Sequence, residues 1–381
     1  MVKILADAYS RFRRLTSSNL FIPEIDGLRF LAIALVVYQH IAIFVIVKSP
    51  FPGIAMPGEY GIKGVTLFFA ISGFILGMPF AKHFLTQAPK VDLKKFYLKR
   101  LTRLEPPYII VTLLCFVLLI LKGKYGFSEI IAPLGTSLLY LHNIFPLGPY
   151  INGVAWSLEI EVQFYLLVPF LASIFMINTY ARRIFLASAI VALPFLNHYF
   201  PLPFMSLYSF LQYFLTGFLL ADFYVSDFKI NLNRYIGFLL GLASLLFIVY
   251  GKTAGSISGE IIYLALILIF YHLVFHNQWW KKVFSLKILT SIGGMCYTIY
   301  LIHVIIMSGV GNLSIHWKPF SGYYPTLFLQ MLIIIPLQLA ASAVFFLLIE
   351  KPCMDRTWPT KLWNYFKRSA GKKDLINAVN V

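Results

Sequence analysis

The sequence predicts an all-α polytopic membrane protein: a bundle of about ten transmembrane helices, both termini cytoplasmic, with an extra short re-entrant or interfacial segment near 128–142. Three observations predict it. Of the 381 residues, 59% are hydrophobic and only 12% charged, and the mean hydropathy is +0.79, a balance that soluble globular domains do not reach. Ten apolar segments recur along the chain, most of them long enough to cross a bilayer. The basic residues fall on one side of those segments.

In chain order the segments are 25–47, 61–81, 104–121, 155–176, 184–200, 206–225, 235–250, 258–276, 288–310 and 326–349. The first twenty residues carry Lys3, Arg11, Arg13 and Arg14, without the apolar core of a cleavable signal. Leu5, Tyr9 and Phe12 among those cations make residues 1–21 an expected interfacial segment. Residues 22–353 form the expected membrane domain and 354–381 a basic cytoplasmic tail. The stretch 128–142 is short and carries Pro133 and Gly135, so it is expected to dip into or lie on the membrane instead of crossing it.

Orientation follows from the cations. With ten crossings, 25 of the 32 basic residues lie inside, 6 lie outside, and Arg29 falls within the first span. A crossing at 128–142 would flip every later loop and leave 13 inside against 18 outside. The net charge of +17 therefore reflects orientation and anionic lipid, and no nucleic-acid motif accompanies it. Cys115, Cys296 and Cys353 are scattered, which implies neither a disulfide framework nor a metal site.

Candidate functional residues are ionisable groups at depth, where they are costly and face protein or a water-filled cavity. Arg29 and His40 are eleven residues apart, which brings them to within about 20° on one helix face and separates them by roughly 16 Å. Arg29 falls toward the cytoplasm and His40 beyond the midplane. A lone intramembrane histidine often only bridges helices; the shared face with Arg29 points to a polar path. The fourth span opens with Trp156, Ser157, Glu159 and Glu161. Glu161 falls at a depth similar to His40, where a carboxylate would orient an imidazole acting as a base, whereas Glu159 is placed to cap the helix. Tyr297, Tyr300 and His303 form a stripe on the ninth span. Arg100 and Arg103 are placed where the third span begins, as positive-inside cations or as a phosphate site at a helix N-terminus, with Pro106 and Pro107 shaping its start. Gly64, Ser72 and Gly73 on the second span permit close helix approach or a backbone break beside the path.

Together these stretches resemble acyltransferase family 3, the integral membrane acyl-CoA-dependent O-acyltransferases that include surface-polysaccharide and O-antigen O-acetyltransferases. The resemblance covers about residues 22–353 and rests on six pieces in order. They are IDGLR followed by His40, FFAISGF at 68–74, KRLTRLEPPY at 99–108, WSLEIEVQFYLLVP at 156–169, YTIYLIH at 297–303 and IEKP at 349–352. Glu159 stands where a small or hydroxyl residue is common, and IEKP replaces an arginine version; both departures are expected to lie away from the core of the site.

The resemblance implies that His40 is essential, that Arg29 is required with it, and that Arg100 and Arg103 serve the acyl-CoA donor. Acetyl-CoA is then the expected cosubstrate, with no bound cofactor or metal, and a lipid-linked or periplasmic saccharide the expected acceptor in a bacterial plasma membrane. His40, oriented by Glu161, would act as general base. Arg29, or Tyr300 with His303, would stabilise the oxyanion or position the acceptor, with Tyr297, Trp156 and Ser157 in support. A covalent acyl-histidine relay stays open. A proton-coupled secondary transporter is the rival from another class, since buried Arg, His and Glu also mark carriers. The C-terminal half shows no second copy of the Arg29–His40 or Arg100–Arg103 pattern, which weighs against a carrier.

Overall fold

A computed structural model describes residues 21–49, 54, 58–252, 256–317, 321–355, 357, 358 and 360. The expected interfacial segment, except Phe21, and most of the expected basic tail lie outside these residues. Among the described residues every element is helical. The helices are α1 Pro23–Lys48, α2 Tyr60–Thr86, α3 Leu93–Leu121, α4 Phe127–Leu138, α5 Trp156–Leu171, α6 Thr179–Tyr199 and α7 Leu207–Val225. They continue with α8 Arg234–Tyr250, α9 Ile257–His276, α10 Gln278–Phe284, α11 Lys287–Gly294, α12 Cys296–Ile306 and α13 Tyr323–Phe345. Eight described helices are long and apolar enough to cross a membrane: α1, α2, α3, α5 extended to Met176, α6, α9, α12 extended to Ser314 and α13 extended to Cys353. The shorter apolar α8 and the more polar α7 pack among them.

Local chemistry sets the starts. Pro23 occupies the first turn of α1, where its missing N–H costs nothing. Asn178, Asn233 and Ser256 accept backbone N–H bonds at the N-termini of α6, α8 and α9. Asp92 caps α3 through Lys95 N at 3.0 Å, and that bond holds its carboxyl below the usual range.

Two expected boundaries move. α3 begins at Leu93, so Arg100 and Arg103 lie two to three turns inside it. They are therefore not a helix N-terminal anion site, and Pro106 and Pro107 sit within the helix rather than at its start. The expected ninth span, 288–310, is divided: α11 ends at Gly294 and α12 starts at Cys296. Gly293 lets α11 press on α1, since a Cβ there would stand 1.7 Å from the Asp26 carbonyl oxygen. An unbroken apolar run conceals such a break. α4 has twelve residues, about 18 Å of rise, too short for hydrocarbon about 30 Å thick.

α2 is the central helix and packs most extensively on α7. It runs unbroken from Tyr60 to Thr86, so the backbone break considered near Ser72 is absent. Close approach is real: a Cβ on Gly73 would lie 2.1 Å from the Phe214 carbonyl oxygen, and one on Gly217 would lie 2.1 Å from that of Ala70. Gly217→Leu is therefore expected to force α2 from α7 and abolish monodisperse protein in detergent. A wild-type elution profile and melting temperature for that variant would refute the contact's role.

Arg182 and Arg183, between the expected spans 155–176 and 184–200, converge on one buried carboxylate. Asp222 on α7 accepts from Arg182 Nε at 2.5 Å and from Arg183 Nε at 2.6 Å, tying α6 to α7.

Candidate active site

A cavity of about 200 Å³ opens among α1, α2, α3, α5 and α12. Arg29, Lys99, Arg100 and Arg103 line it with a single carboxylate, Glu161. Phe68, Ile71 and Ile75 of α2 form part of its apolar wall. Four cations around one acid suit a polyanion, and a guanidinium fork suits phosphate oxygens.

Each of the three arginines is held from behind. Arg29 Nη1 donates to Asp26 Oδ1 at 2.5 Å. The Arg100 guanidinium lies 3.6 Å above the centre of the Phe96 ring and donates to the Phe96 carbonyl at 2.5 Å. Arg103 pairs with Glu350 Oε1 at 3.5 Å, while Glu350 Oε2 accepts from Thr298 Oγ1 at 2.7 Å. Glu350 is 0% exposed. The IEKP stretch was expected to lie away from the site; instead its glutamate braces a cavity arginine, because the π-turn Phe346–Glu350 carries it to α3 and α12.

Glu161 was expected to orient His40; in the structure no hydrogen bond joins the two. Its Oε1 accepts from Ser72 Oγ at 2.6 Å, Tyr165 also bonds to it, and it faces the cavity with Arg100. Ser72 thus serves as a donor to Glu161 more than as a helix-packing residue. Glu159 points elsewhere and accepts the Asn143 backbone N–H at 2.7 Å, fixing the loop before α5 instead of capping its own helix.

His40 faces a second imidazole. Its ring and that of His303 meet edge to face with centroids 4.7 Å apart. His40 Nδ1 lies 2.8 Å from the Val36 carbonyl oxygen, and His303 Nδ1 lies 2.8 Å from that of Tyr300. A carbonyl only accepts, so each Nδ1 carries a proton, and in the neutral ring each Nε2 presents a lone pair.

Tyr297 and Tyr300 of the α12 stripe reach the cavity, and their hydroxyls are committed. Tyr297 donates to the Leu104 carbonyl at 2.8 Å and Tyr300 to that of Val154 at 2.7 Å. The Ser157 hydroxyl, 2.6 Å from the Tyr300 oxygen, is then the donor of that pair. In this arrangement neither Tyr300 nor a neutral His303 has an uncommitted proton to give an oxyanion, the first of the two roles expected of them; positioning the acceptor is the second. Trp156 stays outside the lining; its carbonyl accepts from Asn143 Nδ2 at 2.8 Å and its ring leans on Phe210. His40, His303 and Gly73 also stand outside the lining.

Sequence reasoning missed Lys99, Asp26, Glu350 and Thr298. Asp26 was legible as an acid three residues before an arginine within an apolar span. Nothing local marks Thr298 or the long-range partner of Glu350.

The Acyltransferase domain family model matches residues 22–349 of this chain. A Staphylococcus aureus (strain COL) protein bearing a provisional O-acetyltransferase name is 24% identical over 323 residues, which cover 76% of this chain and 51% of that protein. O-acetyltransferase OatA of Staphylococcus aureus (strain NCTC 8325 / PS 47) is 30% identical over 202 residues, 48% of this chain and 30% of OatA. The chain thus spans about half the length, or less, of the curated relatives it matches. No solved structure matches it.

Proposed function

The chain belongs to the acyltransferase domain family, and on that premise we propose that it is a membrane O-acetyltransferase moving acetyl from cytoplasmic acetyl-CoA to a saccharide hydroxyl. The observation that carries the donor is the cation-lined cavity: Lys99, Arg100, Arg103 and Arg29 converge where the nucleotide end of CoA presents its phosphates. The cation count supports ten crossings with both termini cytoplasmic, α7 and α8 being the two beyond the eight long apolar helices. That orientation opens the cavity inward and sets His40 toward the outer half of a bacterial plasma membrane. The acceptor is a surface-glycan unit such as a lipid-linked saccharide.

The pantetheine arm threads from the arginines past Arg29 toward His40, a rise of roughly 16 Å along α1. His40 Nε2 takes the proton of the acceptor hydroxyl as its oxygen attacks the thioester carbonyl. The tetrahedral intermediate collapses with cleavage of the C–S bond, and CoA thiolate leaves and takes the proton back from the imidazolium. Glu161, held by Ser72 and Tyr165 beside Arg100, orients the donor site rather than the base.

Protein reconstituted with labelled acetyl-CoA and candidate glycans tests this reading. Acetyl appearing on the glycan supports it; movement of intact solute without acetyl transfer identifies a carrier. Arg100→Ala with Arg103→Ala is expected to raise the acetyl-CoA KM at least about tenfold with little change in acceptor KM. The reverse pattern would break the donor assignment.

A further inference from the structure

His303 is among the most enclosed polar side chains near the proposed chemistry, and it carries an unanswered atom. The residue is 2% exposed, and its Nε2 is buried with no hydrogen-bond partner. Leaving such an acceptor unpaired in the interior is costly, and natural structures keep one where function requires it. The other nitrogen is tied to the Tyr300 carbonyl, which fixes the tautomer and leaves a lone pair at Nε2. The ring then meets His40, whose Nδ1 is tied to Val36 in the same way. Two imidazoles, each with its proton committed to a carbonyl and a lone pair at Nε2, make an array that holds one added proton and has two atoms to share it.

Building on the proposed role of His40, we infer that His303 is the second half of the base. When His40 Nε2 takes the acceptor proton, the new N–H has a neutral imidazole beside it, and His303 Nε2 accepts a hydrogen bond from it or takes the proton over. No net proton is gained: the proton leaves the acceptor oxygen as the O–C bond forms, resides on the pair, and passes to the CoA thiolate when the C–S bond breaks. In the opposite order the pair returns to its neutral form. The two rings do not both charge, because like charges at this separation repel in a dry interior.

The surroundings favour this division of labour. The titratable groups acting on His303 are His40 from α1 and Tyr300 from its own helix. The neighbouring elements bring amides to this stretch of α12: Asn152 bonds to the Leu301 carbonyl at 3.3 Å and Gln338 to that of Ile299 at 3.5 Å. Among the described residues no carboxylate hydrogen-bonds to either imidazole, so the usual partner of a histidine base is replaced by a second histidine.

Kinetics of the reconstituted full chain test the inference. His303→Ala is expected to lower kcat by about 10²-fold while the acetyl-CoA KM stays within a factor of two to three. His303→Gln, whose amide oxygen reaches the Nε2 position, should recover at least tenfold of that loss by accepting the His40 proton as a hydrogen bond. In a His40→Ala background, His303→Ala should remove nothing further, because it acts through the base. His303→Ala at wild-type kcat, an equal loss in His303→Gln and His303→Ala, or a further loss in the double variant would each overturn it. Absence of acetyl transfer in the wild type would instead overturn the proposed activity itself, and the two failures are thereby distinct.

Discussion

Replacing His40 with alanine is expected to reduce acetyl transfer by 10²- to 10⁴-fold, the range a general base supplies. The loss should fall on kcat, because His40 stands outside the cation-lined cavity and touches none of its arginines. The acetyl-CoA KM should therefore hold near the wild-type value. Folding should survive, since His40 is only half-buried and its hydrogen bond is to a carbonyl of its own helix; a net contribution of about 1 kcal/mol is at stake. Labelled acetyl transfer measured beside a melting curve checks both statements. Transfer within a few-fold of wild type would remove His40 from the chemistry. The covalent variant predicts more: stoichiometric label on the protein before acceptor is added, lost in His40→Ala. Direct transfer predicts none.

What the chain disclosed beforehand depended on how far each interaction reaches along it. All ten apolar segments became helices, because hydropathy is a local property that a run of twenty residues displays. The divided segment at 288–310 was hidden because α11 and α12 are both apolar, and what separates them is α11 pressing on the Asp26 carbonyl. The start of α3 was misplaced because Leu93–Arg103 is helical yet rich in cations, and a hydropathy reading stops where charge begins.

The site shows the same limit. Arg29 with His40, and Arg100 with Arg103, were visible as pairs because each lies on one helix within three turns or so. The partner of Glu161 was not, since choosing between His40 and Ser72 requires knowing which face of α5 meets which face of α2. Equal depth had suggested His40; helix rotation chose Ser72. The role of Glu350 was likewise invisible, because its contact with Arg103 spans most of the chain and passes through a π-turn that sequence does not announce. Even so, the stripe of Tyr300 and His303 was read on the correct helix, and only its proton inventory changed its meaning.

Asp222→Ala is expected to be strongly destabilising although it lies far from the chemistry. Asp222 is 0% exposed and accepts from both Arg182 and Arg183. Arg182 is 2% exposed, so without the carboxylate its charge stays in the bundle with only the Ile177 and Phe175 carbonyls to receive it. Breaking a buried pair by removing one partner costs about 3–5 kcal/mol, a large share of the 5–15 kcal/mol typical of a folded protein. Arg183 suffers less, because it also donates to Ser226 and stacks over Phe223 and Phe228. Removing both charges, as in Arg182→Met with Asp222→Leu, should therefore be milder than Asp222→Ala alone. Thermal unfolding in detergent orders the three proteins. A single variant melting with the wild type, or a double variant worse than the single, would show that the pair is not what joins α6 to α7. The consequence reaches the site through α7. That helix is the surface on which α2 closes at Gly73 and Gly217, and α2 carries Phe68 to the cavity and Ser72 to Glu161. Asp222→Ala should accordingly lower the amount of active protein, while the molecules that remain folded keep the wild-type acetyl-CoA KM, the opposite split from Arg100→Ala with Arg103→Ala.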